Sequence, residues 1–155
     1  MKYFDEIKKS MDWLNTKSDT LFLGQAVEYD GTAMTRTLKD VDDSKKLEMP
    51  VNEEMQTGIT LGMALNGTVP ISIYPRWNFL LLGANQLVNH IDKVKIMSSG
   101  GYTPKIIIRT SIGSQRPLHP QHQHIADFTG GFRAMCDTVD IVRLDEPHQI
   151  FDSFK

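Results

Sequence analysis

The chain has little of several features that would assign it to a class of protein. Its single cysteine, Cys136, excludes an internal disulfide and indicates a reducing compartment. Its net charge is -2, so it has neither the basic excess of a nucleic-acid-binding protein nor an acidic tail. The longest apolar run, at residues 79–82, is too short to span a membrane, and the N-terminus is too polar for a signal peptide. We therefore expect a cytoplasmic protein with no nucleic-acid or membrane partner.

What is present indicates one α/β domain over residues 1–155, since this length and a 40% hydrophobic content suffice for one core. Apolar residues at helical spacing predict helices at 4–14, 53–66, 79–97 and 122–128, with another beginning at 147. Short apolar or β-branched runs predict strands at 21–23, 69–74, 105–109 and 138–144. Because strands alternate with helices, we expect a doubly wound, mostly parallel sheet with helices on both faces.

The compositions of two segments predict their structure more closely. The polar stretch 29–46 contains Asp30-Gly31 and is interpreted as a long, partly ordered loop. The strand at 105–109 contains three consecutive isoleucines, which is typical of a strand buried on both faces.

The helix at 53–66 has an unusual composition. Asn52 is a plausible N-cap, and Glu53 in the first turn would by itself only stabilise the helix dipole. Gly58 and Gly62 share one face, and each costs about 1 kcal/mol relative to alanine. Such a cost indicates a close backbone approach, either inside the domain or in a helix–helix contact between subunits.

The motif in this helix resembles a known family. Pro50-Val51-Asn52-Glu53, followed by Gly58-Ile59-Thr60-Leu61-Gly62, is similar to the glutamate–glycine motif of thiamine-diphosphate enzymes. The similarity is greatest to the beta subunit of the first component of pyruvate and branched-chain 2-oxo acid dehydrogenases, in its transketolase-like, pyrimidine-binding domain. It continues in order through residues 70–79, 86–90, 97–101, 104–109 and 121–122. It therefore covers nearly the whole chain.

The resemblance implies roles for particular residues. The glutamate matching Glu53 bonds N1′ of the cofactor's aminopyrimidine, which promotes removal of the thiazolium C2 proton and attack on a 2-oxo acid or ketose. Phe79 matches the aromatic residue that stacks on the pyrimidine, although the position also suits a core phenylalanine. His122 matches a histidine that handles protons or anionic groups near the substrate. The neighbouring His119 and His124 are interpreted as solvated, because their spacing matches no trusted metal motif.

The sequence also departs from the family. Two acidic residues usually follow the strand that ends at Gly24, but Gln25 and Ala26 stand here, so a proton relay through the first of them is lost. The usually glycine-rich loop before the histidine reads Ser114-Gln115-Arg116-Pro117-Leu118-His119-Pro120, which is stiffer and bulkier. These changes bear on substrate choice and on activity itself.

A partner is implied as well. In the family the diphosphate and its magnesium are held by a different domain with a Gly-Asp-Gly signature, which is missing from this sequence because Asp30-Gly31 lacks the preceding glycine. We therefore expect an alpha-like chain to supply that half of the site, in a homo- or hetero-oligomer. Two alternatives stay open: a transketolase-like component, and a non-catalytic homologue that acts in assembly or regulation.

Overall fold

The computed structural model describes residues 2–113, 115 and 119–155. The strands are β1 (Thr20–Gly24), β2 (Lys46–Glu48), β3 (Val69–Ile73) and β4 (Ile107–Arg109). The α-helices are α1 (Tyr3–Asn15), α2 (Ala33–Arg36), α3 (Glu53–Leu65), α4 (Trp77–Leu80), α5 (Val94–Met97), α6 (Thr129–Met135) and α7 (Pro147–Ser153). Short 3-10 turns lie at Asp43–Lys45, Leu81–Gly83 and His122–His124, and a π-helical turn lies at Gln86–Ile91.

The four strands form one parallel sheet in the order β2-β1-β3-β4. Phe22 of β1 pairs with Ile71 of β3, which in turn pairs with Ile107 of β4. Helices lie around this sheet, which confirms the predicted doubly wound α/β fold. Since all strands are parallel, their carboxyl ends meet at one edge, where ligands bind in such folds.

The core has one apolar cluster on each face of the sheet. On the first face, Ile7, Met11 and Leu14 of α1 are buried at helical spacing, as predicted, and they cluster with Phe22 and other strand residues. The second cluster contains buried residues from the β3–α4 junction, the π-helical turn and α6, namely Tyr74, Trp77, Leu80, Leu87, Ile91 and Phe132. Alternate residues of each strand therefore support opposite faces.

The prediction of a strand at 138–144 is wrong among the described residues, because this segment joins no sheet. The backbone N–H groups of residues 137–139 donate instead to the carboxylate of Asp92. A cavity of about 970 Å³ is lined by β4 on one side and by residues 138–145 on the other. A side chain has thus taken the backbone N–H groups at the start of this segment.

The two helices predicted at 79–97 and 122–128 also differ from expectation. The first region is helical but broken into α4, a 3-10 turn, the π-helical turn and α5. In the second, only a 3-10 turn forms at His122–His124, and the α-helix begins later. Just before α6, the side chain of Asp127 accepts a hydrogen bond from the backbone N–H of Thr129 at 2.9 Å, a local turn that precedes the helix.

Polarity and edge position explain two further corrections. The stretch 29–46, predicted as a loop, contains α2 and a 3-10 turn and enters the edge strand β2 at Lys46. Its polar residues concealed the strand, because β2 lies at the edge of the sheet and its residues are half-buried or exposed. β4 was predicted to be buried on both faces, but its residues are only half-buried because it lies at the other edge of the sheet.

The glycine face of α3 is open. A Cβ atom added to Gly58 or Gly62 would meet no atom within 4 Å. Close packing inside the domain therefore does not explain these glycines, and the contact between subunits stays a prediction. No helix among the described residues is long and apolar enough to cross a membrane.

Candidate functional site

Glu53 is the first residue of α3, and its side chain is buried with 3% exposure. The predicted N-cap is confirmed, because the Asn52 side chain accepts a hydrogen bond from the backbone N–H of Met55 at 3.0 Å. The cap fixes where the helix begins and therefore where Glu53 stands. A carboxyl group on the first turn of a helix usually faces solvent, so its burial needs a specific partner.

That partner is Gln25. Its Nε2 donates a hydrogen bond to Oε1 of Glu53 at 3.0 Å, and both side chains are buried. The second carboxylate oxygen, Oε2, accepts no hydrogen bond from the residues that the structure describes. The sequence marked Gln25 as a departure from the family, but it gave no sign that the amide contacts Glu53.

The end of β1 brings these two residues together. Gly24 has a φ of +140°, and an added Cβ would lie 2.1 Å from the carbonyl oxygen of Ile73. Only glycine allows this approach, which turns the chain toward α3. Gln25 follows at once, and its backbone N–H continues the contact with Ile73 at 3.3 Å.

The underside of α3 is polar rather than apolar. Gln56, which is fully buried, donates from Nε2 to Oγ of Ser72 at 3.1 Å and to the carbonyl oxygen of Ile73 at 3.0 Å. Thr60 donates to the same Ser72 hydroxyl at 2.9 Å. Because directional hydrogen bonds fix a helix more closely than apolar contacts do, they set the position of α3 against β3.

Tyr74 extends this polar layer toward Glu53. Its hydroxyl lies 2.6 Å from Oγ1 of Thr57, which also donates to the backbone carbonyl of Glu53 at 2.6 Å. Burial raises the pKa of Tyr74 above its ordinary value, hydrogen bonds to Ser72 and Thr57 oppose this in part, and the charge of Glu53 raises the pKa further. The phenol therefore stays protonated at neutral pH.

Phe79 lies on α4, directly before the 3-10 turn at Leu81–Gly83. The 3-10 turn after α4 packs on α3 through Gly83, where an added Cβ would lie 2.3 Å from Oγ1 of Thr57 and 3.2 Å from the carbonyl oxygen of Glu53. A larger residue at Gly83 would separate the two elements. The fold therefore brings the Phe79 segment and Glu53 together at one end of the sheet.

The histidines occupy a separate turn beside Phe79. His124 places its ring 5.4 Å from the Phe79 ring, between centroids, whereas His122 is exposed and its ring lies 5.9 Å from that of His119. The turn follows Gln121, whose φ of +69° is strained for a non-glycine residue. Of the three histidines, His124 is thus the one in contact with Phe79, which sequence reasoning did not foresee.

Part of the altered loop before this turn, residues 114 and 116–118, lies outside the described residues. Within residues 2–113, 115 and 119–155, no group of three or more histidine, cysteine or acidic residues is arranged to hold a metal ion. Cys136 is half-buried, and burial raises the pKa of its thiol. These observations leave Glu53 with Gln25, and Phe79 with His124, as the described parts of the site.

Comparisons with known proteins show which family the chain resembles. No protein-family model matches the chain. The mitochondrial pyruvate dehydrogenase E1 component subunit beta of Ascaris suum is 30% identical over 142 residues, which is 89% of this chain and 38% of that protein. The subunit of the same name from Porphyra purpurea is 31% identical, over 77% of this chain and 37% of the relative. The mitochondrial human subunit is 30% identical, over 76% of this chain and 34% of the relative.

The chain belongs to the family of transketolase-like, pyrimidine-binding domains that includes the pyruvate dehydrogenase E1 beta subunits. It spans only about 38% of the length of the Ascaris relative. The shared part therefore identifies the domain, and the activity of the whole relative does not follow from it.

Proposed function

We propose that the chain supplies the aminopyrimidine half of a thiamine-diphosphate site, in an enzyme that decarboxylates a 2-oxo acid. The observation that carries this proposal is the buried carboxyl group of Glu53. One of its oxygens is held by Gln25, and the other accepts no hydrogen bond from the described residues. A buried acceptor of this kind fits a ring nitrogen that must gain a hydrogen bond.

The chain's own residues then have separable tasks. Glu53 shares a proton with the aminopyrimidine N1′, while Gln25 holds the carboxyl group in one orientation. Phe79 offers an aromatic face for the ring. His122 would handle protons or anionic groups of the substrate. It lies in an exposed turn that a partner surface can reach. When bound, the cofactor supplies a carbon nucleophile for attack on the oxo group.

A partner chain completes the site in this proposal. An alpha-like subunit would hold the diphosphate and magnesium, for which this sequence carries no Gly-Asp-Gly signature. The assembly would be a hetero-oligomer, and a cytoplasmic location stays a prediction. The partner can be sought among neighbouring reading frames by its signature and co-purified with this chain.

The decisive experiment compares Glu53→Gln with Glu54→Gln in the assembled complex. Decarboxylation of pyruvate and of branched-chain 2-oxo acids, and transfer from a ketose, are measured with added thiamine diphosphate and magnesium. We expect Glu53→Gln to lose at least about 100-fold in rate, because an amide cannot share the proton. Glu54 is exposed on the same helical turn, so its variant controls for lost charge. Unchanged rates in Glu53→Gln would contradict the proposal, and activity with the ketose alone would favour the transketolase-like alternative.

A second candidate is a non-catalytic homologue that keeps the fold for assembly or regulation. It is favoured by one observation: an amide, Gln25, contacts Glu53 where the family usually has an acid. This candidate predicts normal assembly with the partner, no turnover, and no change on substitution of Glu53. Cofactor titration of the assembled complex separates the candidates, because only the first predicts saturable binding that Glu53→Gln weakens.

The open face of α3 is the proposed contact between subunits. Gly58→Leu should change the oligomeric state in sedimentation, because a side chain there would hold the two backbones apart. Gly131→Leu is the matched control, since this helical glycine also has no atom within 4 Å of an added Cβ. A folded Gly58→Leu chain with the original sedimentation coefficient would contradict this contact.

A further inference from the structure

Four buried polar atoms near the carboxyl ends of β3 and β4 have no hydrogen-bond partner among the described residues. They are Nη1 of Arg76, Oδ1 of Asn78, Oγ1 of Thr110 and Nδ1 of His124. Leaving such an atom unpaired costs about 1–3 kcal/mol, and more for a charged group. The described residues thus leave four unpaired polar atoms at one end of the sheet, which makes this end a candidate site for a ligand.

The backbone brings these residues to one place. The N–H of Trp77, which separates Arg76 from Asn78 in the sequence, donates to the carbonyl of Ser111 at 3.1 Å. The hydroxyl of Ser111 returns a hydrogen bond to the carbonyl of Pro75 at 2.5 Å. The segments after β3 and after β4 are therefore in direct contact.

The 3-10 turn at His122–His124 lies against the same segments. A Cβ atom added to Gly113 would lie 1.8 Å from the backbone carbonyl oxygen of His124. The ring of His124 in turn contacts Phe79, with centroids 5.4 Å apart. The segments after β3 and β4 and the turn at His122–His124 are thus in mutual contact, and Phe79 lies on the first of them.

Arg76 differs from the other three because it carries a full charge. It is half-buried, yet it forms no salt bridge among the described residues and donates no hydrogen bond to them. By contrast, Arg143 is paired with both Asp127 and Asp145 at 2.6 and 2.7 Å. A partly desolvated guanidinium without a counter-charge is unfavourable unless an anion binds to it.

We infer that Arg76 binds the carboxylate of the 2-oxo acid substrate, beside the Phe79 ring. This inference rests on the proposed function, since it names the residue that would recognise the acid at that same site. A planar guanidinium forms paired hydrogen bonds with the two oxygens of a carboxylate. The Thr110 hydroxyl is a second donor in the same group, whereas Asn78 presents its oxygen as an acceptor.

Binding can be measured without turnover by the fluorescence of Trp77, the residue directly after Arg76. The chain has two tryptophans, so Trp13→Phe leaves Trp77 as the sole reporter. Pyruvate is titrated at constant ionic strength into this background, into Arg76→Met and into Arg36→Met. Arg36 is an exposed arginine on α2, and its variant removes the same charge from elsewhere on the surface.

We expect Arg76→Met to weaken pyruvate binding at least about tenfold, the effect of losing a hydrogen bond to a charged group. Arg36→Met should bind as the parent does. Equal affinity in Arg76→Met and the parent would overturn the inference. If Arg76→Met does not fold, Arg76→Lys carries the test, because an ammonium group cannot form the paired bonds; unchanged affinity there has the same consequence.

Two further probes identify the anion. Methyl pyruvate lacks the carboxylate and should not bind, whereas saturation with methyl pyruvate would overturn the inference. Inorganic phosphate tests a phosphate group instead; binding that is tighter for phosphate than for pyruvate and is lost in Arg76→Met would assign Arg76 to a phosphate and overturn the carboxylate assignment.

The result of the Arg76 binding experiment can be distinguished from the result of the Glu53 activity experiment. If pyruvate binding is unchanged in Arg76→Met while Glu53→Gln abolishes turnover in the complex, only the role of Arg76 is wrong. If Arg76→Met loses pyruvate binding while Glu53→Gln stays fully active, the anion site stands and the cofactor role of Glu53 is wrong.

Discussion

Two buried carboxylates in this domain have opposite surroundings. Asp92, at the end of the π-helical turn, is fully buried, and Glu53 at the start of α3 is 3% exposed. Asp92 accepts hydrogen bonds from three consecutive backbone N–H groups at residues 137–139 and from Lys93. The side chain of Glu53 accepts one hydrogen bond from residues 2–113, 115 and 119–155, and its donor is the amide of Gln25.

This difference distinguishes an acid that only stabilises the fold from one whose carboxylate can still bind a ligand. Burial alone would raise the pKa of Asp92, but the hydrogen bonds from Lys93 and from residues 137–139 outweigh it and hold that pKa well below its usual range. Such a group is ionised and fully occupied, so it can only hold the chain together. Within the residues that the structure describes, Glu53 is positioned by a single neutral donor, and its other oxygen stays available to a ligand. Burial alone therefore does not distinguish the two acids; the hydrogen bonds that they accept from the described residues do.

The same carboxylate-to-amide change at both positions tests this contrast, and we expect the largest effect at Asp92. Asp92→Asn replaces the oxygen that Lys93 contacts at 2.7 Å with an NH₂ group, so donors face each other in a buried site. We expect a loss of about 3 kcal/mol in the free energy of unfolding, measured with urea. Asp19→Asn, at an exposed position, is the control. A loss below about 1 kcal/mol would contradict the structural role.

Acidic pH should also remove the stability that Asp92 contributes to the fold. Since the folded-state pKa lies below the unfolded value of about 4, its contribution is complete above that pH and is lost as the pH falls further. Unfolding free energies measured between neutral and acidic pH should therefore fall less steeply in Asp92→Asn than in the parent. Parallel curves for the two proteins would be inconsistent with this linkage.

Removal of the Glu53 partner should have an intermediate effect. Gln25→Ala leaves the buried carboxylate without its hydrogen bond, and we expect a loss of about 2 kcal/mol in stability. Gln123→Ala changes an exposed glutamine on the histidine turn and should be neutral. If the two variants are equally stable, the contact between Gln25 and Glu53 contributes nothing measurable.

The smallest effect on stability is expected for Glu53→Gln. The new amide oxygen can still accept from Gln25, and the other end of the side chain loses no partner among the described residues. We expect a change within about 1 kcal/mol, even though activity in the complex should fall sharply. Chemical denaturation of Glu53→Gln beside Glu54→Gln checks this. A loss as large as that of Asp92→Asn would make Glu53 a structural acid too.

Helix caps and turn residues in the sequence predicted the elements that depend only on nearby residues. The cap at Asn52 fixed the start of α3, and the Glu146–Gln149 capping box with Pro147 marks α7, which lies where the sequence placed it. Gly24 ended β1 as expected. Such features depend on neighbours a few residues away, so they can be read from the chain itself.

Long-range contacts account for what was not predicted. The segment 138–144 has a strand-like composition, yet Asp92, more than 40 residues earlier, takes the N–H groups at its start. Gln25 was recognised as unusual, but its contact with Glu53 spans 28 positions. His124, rather than His122, meets Phe79 because of how the turn folds against α4.

The amino-acid sequence by itself determined the alternation of strands and helices, the family motif around Glu53 and the place where α3 begins. These follow from residue periodicity and from caps, whose energies act within one or two turns. Only the tertiary structure decided which acid is satisfied and which has an oxygen without a partner in the described part of the chain. Pairing depends on donors from distant segments, and backbone N–H groups reach a carboxylate only when the fold directs them there.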